Sequence, residues 1–279
     1  MINNFAALDI HISLASQTLL TVFGFNITNA MLTGALSLVI FLAIFIYVSS
    51  MVARGRYNRF VGLVQWAFEG MLGQIYSVIP DKKLARKIAP LALTLFFYVL
   101  ISYWMSVLPG LETITYREVP LLRSITADMN FTFAIAIMAL VIVQVYAIRQ
   151  HGPVGNLRRY LRNPLKDPIG AFEGFLDLIG EVSRYSALSL RLFGNAFAGE
   201  ILLIIIGALT SYFSVAALPL FMGFELFIGL IQAYVFFILT VIFTALAVDA
   251  HGGTEARPSA THTKHSSADT APPAALARE

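Results

Sequence analysis

The chain has 279 residues, of which 58% are hydrophobic and only 13% charged, with a formal net charge of +3. A mean hydropathy of +0.75 and about half the usual charged content exclude an ordinary water-soluble globule, in which about a quarter of residues are charged. The small net charge argues against a nucleic-acid platform, there is no Gly-rich phosphate loop, and the lack of cysteine excludes disulfides and thiolate metal sites.

The opening MINNFAALDIHISLASQ has neither a basic n-region nor a compact apolar core. It does not read as a signal peptide. Residues 1–29 are expected to form an outer, partly interfacial segment, and 30–249 a membrane domain. A spanning helix needs about 20 predominantly apolar residues. The first such run is Met31 to Val52, closed by Arg54, Arg56 and Arg59. From Phe60 to Ile79 the apolar residues follow helical spacing but Gln65, Glu69 and Gln74 dilute them, so an amphipathic interfacial or re-entrant helix is expected. After Pro80 and the cluster Lys82, Lys83, Arg86 and Lys87, a second span runs from Ile88 to Leu108 and stops at Pro109-Gly110. A third covers Phe131 to Ile148, followed by a basic connector from Arg149 to Pro168.

No proline occurs between Pro168 and Pro219. A helix of about 40 residues there would be roughly 60 Å long, twice a bilayer core. It must lie strongly oblique or break at one of its glycines. The last run, from Pro219 to Val248, is also long for one upright span. The fold class is therefore an all-α polytopic membrane protein, with about five membrane helices, one amphipathic helix and a long, strongly tilted hairpin over about 169–249. The continuous apolar runs argue against a β-barrel, whose strands alternate. Residues 250–279, rich in Ser, Thr, Ala and Pro, read as a disordered tail.

The turns at 54–59, 82–87 and 149–166 hold twelve Lys or Arg, whereas the loop at 111–128 holds Arg117 and Arg123. The excess of basic residues marks the cytoplasmic face. If the amphipathic segment stays on one side, all twelve share that face, with the N-terminus outside and the tail inside. The long polar tail and the absence of a targeting segment favour a bacterial plasma membrane.

A charge at the centre of a helix in lipid costs about 2.5–3.5 kcal/mol, so such residues face a protein interior or a water-filled path. The last two segments carry Arg184, Arg191, Glu200 and Glu225, with Asp177 and Glu181 nearer the basic end. A lone polar residue would read as a helix–helix contact, but this density points to a path. At 100° per residue Asp177, Glu181, Arg184, Leu188, Arg191 and Asn195 form one stripe, and Glu200 lies opposite Arg191. Glu225 and Gln232, seven apart, share a face of the last helix. Two polar tracks result, one from each end, with a fixed cation between them. That arrangement calls for a moving partner to complete the path. Carboxylates in a low-dielectric path can bind and release protons near neutral pH. An arginine stays charged, so it stabilises an ionised carboxylate and repels a cation crossing directly.

At this point the residues resemble a known family. SLRLFGNAFAGE, Ser189 to Glu200, resembles the signature helix of subunit a of F-type ATP synthases, and ELFIGLIQAYVFFILTVIFTALA, Glu225 to Ala247, resembles that family's last helix. APLALTLFFYVL from Ala89, ADMNFTFAIAI from Ala127 and HISLASQ from His11 are similar to further parts, so the resemblance covers roughly residues 8–250. It implies that Arg191 is the essential stator arginine facing a ring of c subunits. It places Glu200, Glu225, Gln232 and Asn195 on the outer half-channel and Asp177 on the cytoplasmic one. Glu181 and Glu173 join the latter on the helical wheel alone. The implied partners are the c-ring, peripheral-stalk b subunits and membrane lipid, with protons as the transported ion and no cofactor.

This sequence departs from the family where some members carry histidine at one outer position; here both are glutamates, a pair able to hold a proton between them. The polar contribution of Tyr103 and Ser106 on the second span is left open, as is that of the loop acids Glu112, Glu118 and Asp128. His11 reads as an entrance residue or an interfacial histidine, and Arg184 as an exit residue or a partner of Glu181. His151, His251, His262 and His265 lack metal-ligand spacing, so no metal is expected. A self-contained proton-coupled secondary transporter is the alternative. It predicts internal repeats, whereas the polar residues here crowd into the last third.

Overall fold

The computed structural model describes residues 16–22, 24–108, 114–116, 119–160, 168–210 and 213–249. His11, Glu112, Glu118 and the tail from residue 250 lie outside them. In chain order the elements are β1 (Thr18–Val22), β2 (Phe25–Thr28), α1 (Asn29–Ala53), α2 (Arg59–Val78), α3 (Lys82–Val107), β3 (Thr115–Tyr116), β4 (Val119–Pro120), α4 (Met129–Tyr160), α5 (Pro168–Thr210) and α6 (Ser214–Asp249). Five helices among the described residues are long and apolar enough to cross a bilayer, and α2 is not one of them. The polytopic helical architecture thus stands as read. The two small antiparallel hairpins, β1–β2 and β3–β4, were not foreseen.

Local chemistry sets the helix ends. The Thr28 hydroxyl accepts from the Met31 N–H at 3.3 Å and caps α1. At its other end Gly55 takes φ +65°, where only glycine is at ease, and donates to the Val52 carbonyl at 3.0 Å. Asp81 caps α3 by accepting from Lys83 N–H at 2.9 Å, so α3 starts six residues before the apolar run and takes the basic turn into its first coils. Inside α4, Gly152 is non-helical at φ 77° and breaks the helix just before Pro153. The connector expected from Arg149 is therefore partly helical.

α3 and α6 pack together at the centre of the described helices. Ile88, Leu95, Val99 and Tyr103 are fully buried along α3, facing Phe236, Phe237 and Val241 of α6 and Leu188 and Leu192 of α5. α1 lies outside, joined to α3 by the ring contacts Phe41–Tyr98 and Phe45–Phe97. α2 seats Val61 and Val64 against Val48 of α1 and buries Ile75 in the main core, while Trp66 is exposed on its other side. It runs from the end of α1 to the start of α3, as a helix lying along the interface would.

α5 is one unbroken helix of 43 residues, roughly 65 Å long. The alternative of a break at a glycine is set aside. A helix of that length fits a core of about 30 Å by inclining or by reaching past it. It runs antiparallel to α6: Gly199 meets Glu225, Asn195 meets Gln232, and Tyr185 meets Phe243.

Candidate functional site

Glu225 is buried on α6, and a Cβ at Gly199 would fall on its carboxyl group. The lack of a side chain at Gly199 is what lets the carboxylate lie flat on α5. One turn along α6, Gly229 plays the same part for Tyr103, whose ring occupies the space of a missing Cβ. Tyr103, only 1% exposed, then donates its hydroxyl to Glu225 Oε1 at 2.6 Å. Two glycines on two helices thus seat a buried phenol on a buried carboxylate. Tyr103, whose polar contribution the sequence leaves open, is in direct contact with Glu225.

Glu200, the next residue of α5, sits at the edge of the packed face. Its Oε1 lies 3.8 Å from Nε of Arg123. Sequence reasoning missed this arginine, reading it as one of two ordinary loop charges. The structure buries it at 8% exposure. Its loop is tied down residue by residue. Arg123 N–H donates to Thr33 Oγ1 of α1 at 3.1 Å, and Ile125 packs where Gly34 has no side chain. Ser124, Thr126 and Ser106 form a chain of hydroxyls at 3.1 and 3.2 Å. Asn29 Nδ2 donates to the Pro120 carbonyl at 3.2 Å. Asp128, half-buried, accepts from Asn130 N–H at 2.8 Å and caps α4.

Arg191 lies near the middle of α5 and is exposed. Among the described residues no side chain or carbonyl pairs with its guanidinium. One turn on, Asn195 Nδ2 donates to Gln232 Oε1 of α6 at 3.2 Å, so these two expected partners do meet. Gln232 is buried, and its Nε2 has no acceptor among the described residues.

Toward the other end, Glu181 is buried and accepts from Gln144 Nε2 of α4. Gln144 is another residue that the sequence reading did not single out. Asp177 is half-buried and Glu173 exposed, one and two turns earlier on α5. Arg184 donates Nε to the Gly180 carbonyl at 3.1 Å and lays its guanidinium over the Phe243 ring, 5.2 Å from the centroid. Glu181, Arg184, Tyr185 and Phe243 line a cavity of about 20 Å³, room for roughly one water molecule.

The single stripe of Asp177, Glu181, Arg184, Leu188, Arg191 and Asn195 is divided in the structure. Glu181 and Leu188 are buried, whereas Arg184, Arg191 and Asn195 are exposed. The buried face of α5 also holds Tyr185, Ser189, Leu192, Ala196 and Gly199. Its centre lies about 60° round from the stripe's centre at 100° per residue. The stripe therefore straddles the edge of the packed face, with Arg191 on the open side and Glu200 on the far edge. Along the axis, Glu181 and Glu200 are 19 residues apart, roughly 28 Å. Buried Leu188 and Leu192 lie between them.

The chain is similar to known proteins along most of its length. The family model of the ATP synthase A chain matches residues 30–245. Among curated proteins, the ATP synthase subunit a of Mycobacterium ulcerans is 34% identical over 227 residues, covering 80% of this chain and 87% of its own length. That of Oceanobacillus iheyensis is 34% identical over 233 residues, covering 81% and 91%. That of Buchnera aphidicola is 28% identical over 218 residues, covering 76% and 79%.

Proposed function

Because the chain belongs to the family of the ATP synthase A chain, we propose that it is the proton-translocating stator subunit of a bacterial F-type ATP synthase, working against a rotating ring of c subunits. Protons reach the ring from outside through Glu200, Glu225, Asn195 and Gln232. They leave past Glu181, Asp177 and Glu173 on the basic, cytoplasmic side. Arg191 stands between the two half-channels and pairs with each ring carboxylate as it gives up its proton. The subunit makes no nucleotide bond itself; it converts proton flow into rotation. Peripheral-stalk subunits and lipid cover its remaining apolar surfaces.

One observation carries this reading: the position of Arg191. A cation half-way along a membrane helix is costly unless an anion meets it. The chain's other mid-membrane charges find partners inside the fold, and this one points out of it. A carboxylate on a neighbouring subunit answers that need. Glu181 and Asn195, the nearest outer-path residue on α5, are 14 residues apart, roughly 21 Å, and buried Leu188 and Leu192 stand in that interval, which supports two paths that end apart rather than one pore.

Disulfide trapping tests the reading. Ala187 and Asn195 are exposed on the Arg191 side of α5, and the chain has no native cysteine. A cysteine at either site, paired with one beside the carboxylate of the c subunit, is expected to cross-link in native membranes and to stop ATP-driven rotation. An assembled complex that cross-links from neither position would overturn the reading. Leu188 is buried and serves as the negative control.

A further inference from the structure

The cavity between α1, α2 and α3 has no part in the mechanism above. We propose that it is a lipid site: one acyl chain of an anionic phospholipid fills the cavity, and the lipid's phosphate sits on Arg86 at its mouth. None of the lining residues belongs to either half-channel.

The cavity measures about 410 Å³, within the range of roughly 300–1,000 Å³ usual for small-molecule sites. Three helices wall it. α1 supplies Phe41 and Phe45, and α2 supplies Phe68, Leu72 and Tyr76 at intervals of one turn. α3 supplies a stripe from Arg86 to Thr94 at helical spacing, and buried Leu93 in that stripe carries the cavity down to the core. The lining is graded in polarity. Arg86 stands near the start of α3, in the exposed cluster Lys82, Lys83, Arg86 and Lys87. Leu93 lies seven residues further on, roughly 10 Å deeper. At that depth the Thr94 hydroxyl donates to the Pro90 carbonyl at 2.6 Å, so it is spent on its own helix. A charged mouth over an apolar interior, beside a helix that lies along the interface, has the polarity profile of one bilayer leaflet.

Charge selects the occupant. Glu69 is the single acid on α1, α2 and α3, and it does not line the cavity. Among the described residues no carboxylate pairs with the Arg86 guanidinium. A phosphate can meet it through two parallel N–H···O bonds, and Lys82, Lys83 and Lys87 add attraction for an anionic headgroup. A neutral amphiphile would leave Arg86 without an anion. A free phosphate would leave the aromatic interior unfilled. An anionic phospholipid answers both needs at once, and the Arg86 stem can follow the apolar wall while its head stays at the surface.

The test uses the whole synthase in phosphatidylcholine vesicles that carry a small share of phosphatidylglycerol with a photoactivatable group midway along one acyl chain. Illumination is expected to label the segments around Phe41, Phe68 and Leu93. Excess unlabelled phosphatidylglycerol should remove that label, and excess phosphatidylcholine should not. Arg86→Gln, at an exposed position, is expected to assemble normally and to lose about fivefold of the label, the effect of one basic residue on an anionic lipid. Arg86→Lys should keep most of it. Thr94→Phe, which fills the deep end from another exposed position, should lower the label at Leu93 with Arg86 intact. Equal labelling by photoactivatable phosphatidylcholine would mean that any lipid enters, and it overturns the proposal. So does an unchanged label in Arg86→Gln. Absence of label in an assembled complex would mean that a neighbouring polypeptide fills the cavity, and displacement by inorganic phosphate would mark a free-anion site; each also overturns it. The label is read without ATP synthesis, so none of these outcomes depends on the stator role.

Discussion

The Tyr103 hydroxyl donates to Glu225 Oε1 at 2.6 Å, joining α3 to α6 inside the core across 122 positions of sequence. The contact exists because Gly229 leaves room for the phenol ring and Gly199 for the carboxylate. Helix packing and site construction are the same act here: the small residues that let three helices approach also set the polar pair.

Tyr103→Phe keeps the ring on Gly229 and removes only the O–H. A buried carboxylate that loses a donor costs about 1–3 kcal/mol. The expected result is a lowered midpoint for thermal dissociation of the solubilised complex, with synthesis slowed roughly fivefold to tenfold. Proton conductance through the stripped membrane sector measures the second effect directly. Unchanged conductance would reduce the bond to a packing detail.

Gly199→Ala places a methyl group on the Glu225 carboxyl, so α5 and α6 must separate or the carboxylate must leave its seat. Overpacking of this kind costs about 1–3 kcal/mol, and proton uptake should fall with it. Gly223, two residues before Glu225, meets nothing within 4 Å at its Cβ position. Gly223→Ala should therefore be silent or gain a few tenths of a kcal/mol from helix propensity, at most ~1. Assembly and synthesis measured side by side decide it; equal behaviour of the two variants would contradict the proposed seat.

These two positions show what the sequence does and does not carry. Helical periodicity places Glu225 and Gln232 on one face, and hydropathy finds each of the five long apolar helices, though α3 and α4 extend beyond the apolar runs into flanking basic sequence and α6 starts before Pro219. The amphipathic pattern of 60–79 likewise separates α2 from the true spans. What periodicity cannot carry is the partner across an interface. Tyr103 and Gln144 look like ordinary members of apolar spans, and only packing against α6 and α5 reveals them. Arg123 looks like a solvated loop charge, because nothing in its neighbours in sequence announces that Thr33 and Gly34 draw the loop inward. The helical wheel gives the angles of the stripe on α5. Its division into packed and open residues depends on where α6 and α4 lie, which the wheel does not know.

Gln144→Leu removes the donor to Glu181 and leaves the shape of α4 nearly intact. With its amide partner lost, Glu181 is expected to pull water toward the small cavity beside Arg184 and Phe243. Thermal stability should drop by about 1–3 kcal/mol, and synthesis should become limited by proton release on the basic side. Varying the pH on each side separately discriminates: sensitivity confined to the outer pH would place Glu181 away from the exit.

Arg191→Ala is the sharpest case, because structure and mechanism predict opposite responses. The side chain is exposed and, among the described residues, unpaired within the chain, so its loss opens no cavity and orphans no partner. Removing a charge from a lipid-depth helix relieves a cost of about 2.5–3.5 kcal/mol. The subunit should therefore fold and assemble at wild-type levels. Coupled synthesis should nonetheless disappear, since no fixed cation remains to release the proton from each ring carboxylate or to keep the two paths apart. Passive proton leak should rise at the same time. Arg191→Lys is not expected to rescue fully: an ammonium in a dry setting can lose its proton, whereas a guanidinium does not. Quantifying assembled membrane sector, synthesis and leak in the same vesicles checks all three statements. Coupled synthesis at the wild-type rate in Arg191→Ala would remove the stator charge from the mechanism and leave its exposed position on α5 without a function.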